Sequence, residues 1–111
     1  MIINRQFVYR NRIKISREDM ALLRAGRKKC TIRLGRNSVA SAQIMVTDGA
    51  NSVPVRIINV ESDRCVKDLT DREALAEGFQ TRDELIKDLE KYYRRLDPEQ
   101  PITIIYFEPV A

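Results

Sequence analysis

The stretch Ala25-Gly26-Arg27-Lys28-Lys29-Cys30-Thr31-Ile32-Arg33-Leu34-Gly35 constrains the fold more than any other segment. Gly26 is placed to take the left-handed conformation that terminates a helix. A short basic loop follows, and a strand begins near Cys30. Pleating puts Cys30, Ile32 and Leu34 on one face and Thr31 and Arg33 on the other. The apolar side can be buried while a hydroxyl and a guanidinium point together into a groove. Arg27, Lys28, Lys29, Thr31 and Arg33 form a dense set of donors for an anion. Basic runs are usually solvated faces, so the rest of the chain decides between the two readings. Spacing also leaves open which lysine partners Thr31. Lys28 lies in the loop and can swing toward it, while Lys29 shares its parity if the strand starts early.

Charge is unevenly spread around this stretch. Residues 1–36 hold 11 Lys/Arg and 2 Asp/Glu, a net of +9, and residues 37–111 hold 9 and 14, a net of −5. A basic N-terminal third suits a surface that meets phosphates. The alternative is that acidic helices fold back and neutralise it. There is no histidine, which removes the commonest general base and the commonest transition-metal ligand. Cys30 and Cys65, without a CxxC pair, cannot close a zinc site. No metal and no cofactor are therefore expected, and any catalysis falls to Lys, Asp, Glu, Thr, Ser, Cys or Tyr. The same two cysteines make no disulfide framework, so reduced thiols and a cytoplasmic location are expected. No apolar run approaches the roughly 20 residues of a membrane span, and residues 1–5 lack the apolar core of a signal peptide. At 111 residues the chain reads as one domain, with residues 1–15 as a basic N-terminal arm or edge strand.

The remaining elements can be placed by pattern. Phe7, Tyr9, Ile13 and Ile15 share a parity, as in an edge strand. Ser16 reads as an N-cap, with Glu18 and Asp19 at the positive end of a helix over about 17–25. Arg36-Asn37-Ser38 reads as a turn. Strands over 39–47 and 53–60 flank the Asp48-Gly49 turn and form a hairpin. Pro54 removes a ladder donor and marks an edge or bulge. Residues 61–67 read as a polar connection. Thr70 and Glu73 form a capping box for a helix that Gly78 ends. Glu77, at the C-terminal end of that helix, is disfavoured by the dipole by about 0.3–1 kcal/mol if exposed, so it either has a cationic partner or is tolerated in solvent. Thr81 and Glu84 form a third capping box for a helix over 82–96, whose stripe of Leu85, Ile86, Leu89, Tyr92, Tyr93 and Leu96 reads as core. Ile102 to Phe107, apolar on both faces, is a central strand. The order of elements indicates α+β, a small barrel or curled sheet with helices at one end.

Three segments together resemble an ASCH domain (activating signal cointegrator homology), a branch of the PUA-like barrel superfamily. The first, Leu23 to Gly35, is similar to the family's helix-Gly-x-Lys-(x)-(x)-Thr-x-Arg signature. The second runs from Leu69-Thr70-Asp71 through Glu77-Gly78-Phe79 to Leu85, and the third is Pro101 to Glu108. They span residues 20–108 in the family's order. Lys29 and Cys30 stand where the family usually has Thr and a β-branched apolar residue. The resemblance implies a small mixed β-barrel with about three helices packed around it and a cleft faced by the basic segment. It also implies RNA or a modified nucleoside as partner. A small bacterial group with this fold hydrolyses N(4)-acetylcytidine with a Lys, a Thr and a Glu. Carried over by motif, these fall on Lys28, Thr31 and Glu77, and the following arginine on Arg33.

Two functions follow. In the first, a basic cleft binds RNA or a nucleoside through Arg27, Lys28, Lys29 and Arg33. In the second, an amidohydrolase removes the acetyl group: Thr31 attacks, Lys28 takes its proton, and Glu77 orients Lys28 or passes the proton to the leaving amine. That role needs a lysine pKa well below 10.4, and crowding by Arg27, Lys29 and Arg33 would push it down. A partner-binding module without a ligand is a third reading. The sequence leaves oligomeric state open.

Overall fold

The computed structural model describes residues 2–110. Its last strand explains the rest. Residues 101–109 form β7 (Pro101–Pro109), which is hydrogen-bonded on both sides and covered on both faces. Ile102 and Ile104 enter one core, and Ile105 and Phe107 enter the other. Burying a side chain of this size contributes about 1.5–3 kcal/mol, so the double-faced apolar run is what two cores demand.

The five-stranded sheet has the order β2 (Arg12–Lys14), β5 (Gln43–Thr47), β6 (Ser52–Cys65), β7, β3 (Cys30–Leu34). β1 (Val8–Tyr9) pairs in parallel with β4 (Ser38–Val39) as a separate two-stranded sheet. The N-terminal segment thus runs beside residues 36–47, and β2 pairs in parallel with β5. Three α-helices among the described residues complete the α+β fold: α1 (Arg17–Arg24), α2 (Asp71–Glu77) and α3 (Arg82–Glu90). α1 covers one face through Met20 and Leu23, and α2 and α3 cover the other through Ala74, Leu85 and Leu89.

Local chemistry sets the ends. The Ser16 hydroxyl accepts from the Asp19 amide at the start of α1. Gly26, at φ 75°, stops that helix. Glu73 accepts from the Thr70 amide at 2.6 Å, completing the capping box of α2. Gly78, at φ 97°, ends α2. In the β5–β6 hairpin, Asp48 Oδ1 accepts from Ala50 and Asn51 amides.

Several expectations are corrected. Ser38 belongs to a short strand rather than a turn. The expected strand over 39–47 is interrupted at residues 40–42, where the Ala40 amide and the Ser41 hydroxyl bond back to Tyr9 and Arg10 carbonyls. β6 runs on through residues 61–65, expected as a connection. Register shifts between Ile57 and Asn59 and between Glu61 and Arg64 change the phase of its alternation twice. The Arg36 guanidinium donates to the carbonyls of Ser62, Arg64 and Ile102 across the second shift. Pro54 lies in an interior strand, near its start and beyond the last β6–β7 pair, Val55 with Pro109. α3 stops at Glu90, not Leu96, because i→i−3 bonds from Lys91 and Tyr92 tighten its last turn. Tyr92 is consequently 57% exposed rather than core.

The expected barrel is not closed by hydrogen bonds: among the described residues no ladder joins β2 to β3. Ser16 turns the chain into α1 directly after β2, leaving a strand of three residues too short to run along β3. A side chain spans the seam instead. Arg33 Nη2 donates to the Lys14 carbonyl at 2.5 Å.

Candidate functional site

A cavity of about 300 Å³ lies at this seam. β3 supplies Thr31 and Arg33, β2 supplies Lys14, α1 supplies Asp19, and the loop after Gly26 supplies Lys28. Glu77 reaches in from the end of α2 and Asp88 from α3. The strict alternation of β3 carries out the division expected of it. Cys30, Ile32 and Leu34 are core, and Thr31 and Arg33 take the other face.

Lys28 is 2% exposed and Glu77 5% exposed. Lys28 Nζ donates to Glu77 Oε2 at 2.5 Å, and Asp19 Oδ2 lies 4.0 Å from the same nitrogen. The carboxylate at the wrong end of a helix dipole therefore has a buried cationic partner. The loop reaches this position because the Arg27 and Lys28 amides both donate to the Leu22 carbonyl, wrapping the chain around the end of α1.

The electrostatics differ from those a general base requires. Burial pulls the Lys28 ammonium down, but Glu77 and Asp19 more than offset it, and its pKa is raised above the ordinary 10.5. The expectation of a depressed lysine is thus reversed. Arg27 and Lys29, which were to lower it, point elsewhere, and two carboxylates stand in their place. Burial raises the Glu77 carboxyl, against the pull of Lys28. Burial and the neighbouring Asp19 raise Asp88. Burial also pushes the Cys30 thiol well up, which suits a core residue rather than a nucleophile.

Lys28, Thr31, Arg33 and Glu77 are brought together. Arg27 and Lys29 are not. Arg27 Nη2 donates to the Gly78 carbonyl on the surface, and exposed Lys29 lines a different, larger cavity of about 510 Å³. Apart from Lys28, the polar residues lining that larger cavity are partly or fully exposed. The seam cavity is the better candidate because buried charged groups converge there.

The seam cavity is also less basic than the sequence suggests. Lys14, Lys28 and Arg33 face Asp19, Glu77 and Asp88. The three lysine and arginine charges are matched by three carboxylates from the helices. Asp19, Asp88, Tyr92 and Tyr93 were missed as lining residues. Asp19 was absorbed into the α1 capping pattern, although that pattern uses its amide and leaves its carboxylate free. Asp88 precedes Leu89 and lies four residues before Tyr92, and a carboxylate bordering an apolar stripe is the signal that could have found it. Arg33 retains an unused donor, since its buried Nε has no partner among the described residues.

No family model and no curated protein matches the sequence. Solved structures match its fold. An ASCH domain from Lactobacillus crispatus JV V101 superposes with a TM-score of 0.69 at 12% identity, over 96% of this chain and 80% of that one. The hypothetical protein PH0355 gives 0.63 at 17% identity, over 96% and 100% of the two chains. Protein PF0455 from Pyrococcus furiosus gives 0.56 at 17% identity, over 91% and 97%. At these identities the likeness is one of fold, and the chain has the ASCH fold.

Proposed function

We propose that the seam cavity binds a nucleoside, free or as an unstacked base of RNA. The observation that carries this reading is a small, charge-balanced cavity in which Lys28, Thr31, Arg33 and Glu77 converge. Its volume, about 300 Å³, is at the lower end of small-molecule sites, which run to about 1,000 Å³. It suits one heterocycle rather than a length of strand. Matched charges favour a neutral polar ligand over a free anion, because a bare phosphate would meet Asp19 and Asp88 as well as Arg33. Tyr92 and Tyr93 on the rim offer aromatic surface to a base. RNA recognition of this kind takes bases from loops or single strands. Lys29 and Arg27, exposed outside the cavity, are available to phosphates of a longer ligand.

Titration of the protein with cytidine and with a short single-stranded RNA tests the reading. Nucleoside binding should change little with salt, and RNA binding should weaken as salt rises. Absence of binding to both, with the protein folded, would reject it.

The convergence of Lys28, Thr31 and Glu77 also favours an amidohydrolase as a second reading, with N(4)-acetylcytidine as substrate. In the ligand-free site Lys28 is a paired ammonium, so it serves first as a donor to the acyl oxygen. To act as a base toward Thr31 it must first lose its proton. Incubation with N(4)-acetylcytidine should release cytidine, and Thr31→Ala and Lys28→Ala should abolish release. Turnover unaffected by both substitutions would reject these roles.

A further inference from the structure

β3 is an edge strand, and its register with β7 decides which of its main-chain groups are spoken for. The Phe107 amide donates to the Lys29 carbonyl at 3.1 Å, and the Gly35 amide donates to the Pro101 carbonyl at 2.8 Å. In an antiparallel pair, directly opposed residues alternate between exchanging hydrogen bonds and exchanging none. Residues 29, 31, 33 and 35 therefore face β7, and Cys30, Ile32 and Leu34 turn their N–H and C=O groups outward. The Leu34 carbonyl is taken by the Asn37 side-chain amide. Neither Ile32 nor Cys30 has such a partner, since outside the ladder no hydrogen bond to either main chain is present among the described residues, but of the two only Ile32 lines the seam cavity. Yet Ile32 is only 5% exposed, and it lines the seam cavity opposite β2. A main-chain donor and acceptor that face a cavity with no protein partner are free to pair with whatever enters it.

We infer that the Ile32 main chain is the base-reading element of this cavity. Its N–H donates to, and its C=O accepts from, the edge of a planar heterocycle carrying an acceptor and an N–H donor on one carbon. Such an edge is found in a lactam (O=C–N–H) or an aminopyrimidine (N=C–N–H). This deepens the nucleoside reading and rests on it. It assigns specificity to a strand edge rather than to Lys28, Thr31 or Glu77. The ligand is held as an added rung beside β3, in the way an extended peptide is held at a sheet edge. A phosphate or carboxylate, having acceptors only, leaves the Ile32 carbonyl unpaired.

The test edits the ligand and leaves the protein intact. Amide proton–nitrogen spectra are recorded while cytidine, 3-deazacytidine and the ribonucleoside of pyrimidin-2-one are added. The second probe lacks the ring acceptor and the third lacks the exocyclic donor. Cytidine should move the Ile32 amide proton downfield and slow its exchange with solvent. Each edited nucleoside should bind about tenfold to a hundredfold more weakly, since each leaves one buried group unpaired. If Lys28 and Thr31 signals respond to cytidine while Ile32 stays still, or the edited nucleosides bind within twofold of cytidine, the strand-edge role is overturned and the nucleoside site stands. If no probe moves any cavity signal, the nucleoside site falls and this role with it.

Discussion

Replacing Lys28 with methionine should destabilise the protein by about 3–5 kcal/mol, as removal of one member of a buried ion pair does. At 2.5 Å and an effective dielectric of about 20, the attraction between the charges is about 6–7 kcal/mol. Burying the two ions costs several kcal/mol each, so the pair as a whole contributes close to nothing. Losing one partner leaves the cost of the other. Lys28→Met strands Glu77 beside Asp19 and Asp88, whereas Glu77→Gln leaves Lys28 with Asp19 at 4.0 Å. The lysine variant should therefore suffer more. The double variant Lys28→Met/Glu77→Gln should recover much of the loss, with a coupling of at least about 2 kcal/mol. Urea unfolding followed by far-ultraviolet circular dichroism measures all four proteins.

The lysine variant carries a pH signature. Without Lys28, burial and the neighbouring carboxylates push Glu77 further above its ordinary 4.5. A raised folded value means that the native state holds the proton more tightly than the unfolded chain. Its stability is then intact below about pH 4.5 and lost as pH rises through the folded value. The deficit of Lys28→Met should accordingly be larger at pH 7.5 than at pH 4.5. Single variants costing under 1 kcal/mol, or a double variant that loses the sum of both, would refute the buried-pair reasoning.

Further expectations follow from the same geometry. Because the Lys28 pKa is raised, its contribution is complete below 10.5 and is lost as pH climbs through the higher folded value. Unfolding titrated above pH 10.5 should show a Lys28-dependent fall in stability that the double variant lacks. Gly35→Ala should cost more than Gly26→Ala. Both glycines have positive φ, which costs other residues about 1–2 kcal/mol, but a Cβ at Gly35 would also collide with the Arg5 backbone while one at Gly26 meets nothing. Thr70→Ala should lower stability by about 1 kcal/mol, since Thr70 Oγ1 caps the Arg72 amide. Iodoacetamide at pH 8 should modify half-buried Cys65 and spare buried Cys30 until the protein unfolds, as mass spectrometry of the peptides would report.

Local periodicity made much of this structure readable. The alternation of Cys30 to Leu34, the caps at Ser16, Thr70 and Thr81, and the glycines at 26 and 78 depend on neighbours within a few residues, and each sits as its pattern implies, except that Glu84 accepts from the Gln80 amide rather than closing a box with Thr81. Structure and local pattern part where distant partners intervene. The second half of β6 is held by β7 and by Arg36, so its own alternation carries two phase changes. Tyr92 and Tyr93 continue the apolar stripe of α3, but the helix ends before them and they reach the cavity mouth. The charge of the cleft departs from the sequence pattern for a related reason. Sequence order separates the basic loop from Asp88 by some sixty residues, and only the packing of α1, α2 and α3 around one seam brings their carboxylates to it.

The strand order also dictates when the molecule can become itself during synthesis. β3 is made early, yet its ladder partner is β7, which leaves the ribosome some seventy residues later. Until residues 101–109 emerge, β2, β5 and β6 can associate on their own, but β3 has no partner on which to align. Thr31, Arg33 and the outward-facing Ile32 amide therefore have no settled positions in a nascent chain, however much of α1 has formed. Closing this long-range pairing carries the entropy of the large intervening loop, which slows folding in proteins dominated by such contacts. The cavity is thus completed only once β7 has inserted between β6 and β3. Until β7 has been made, the growing chain lacks the strand on which the cavity's β3 wall is aligned.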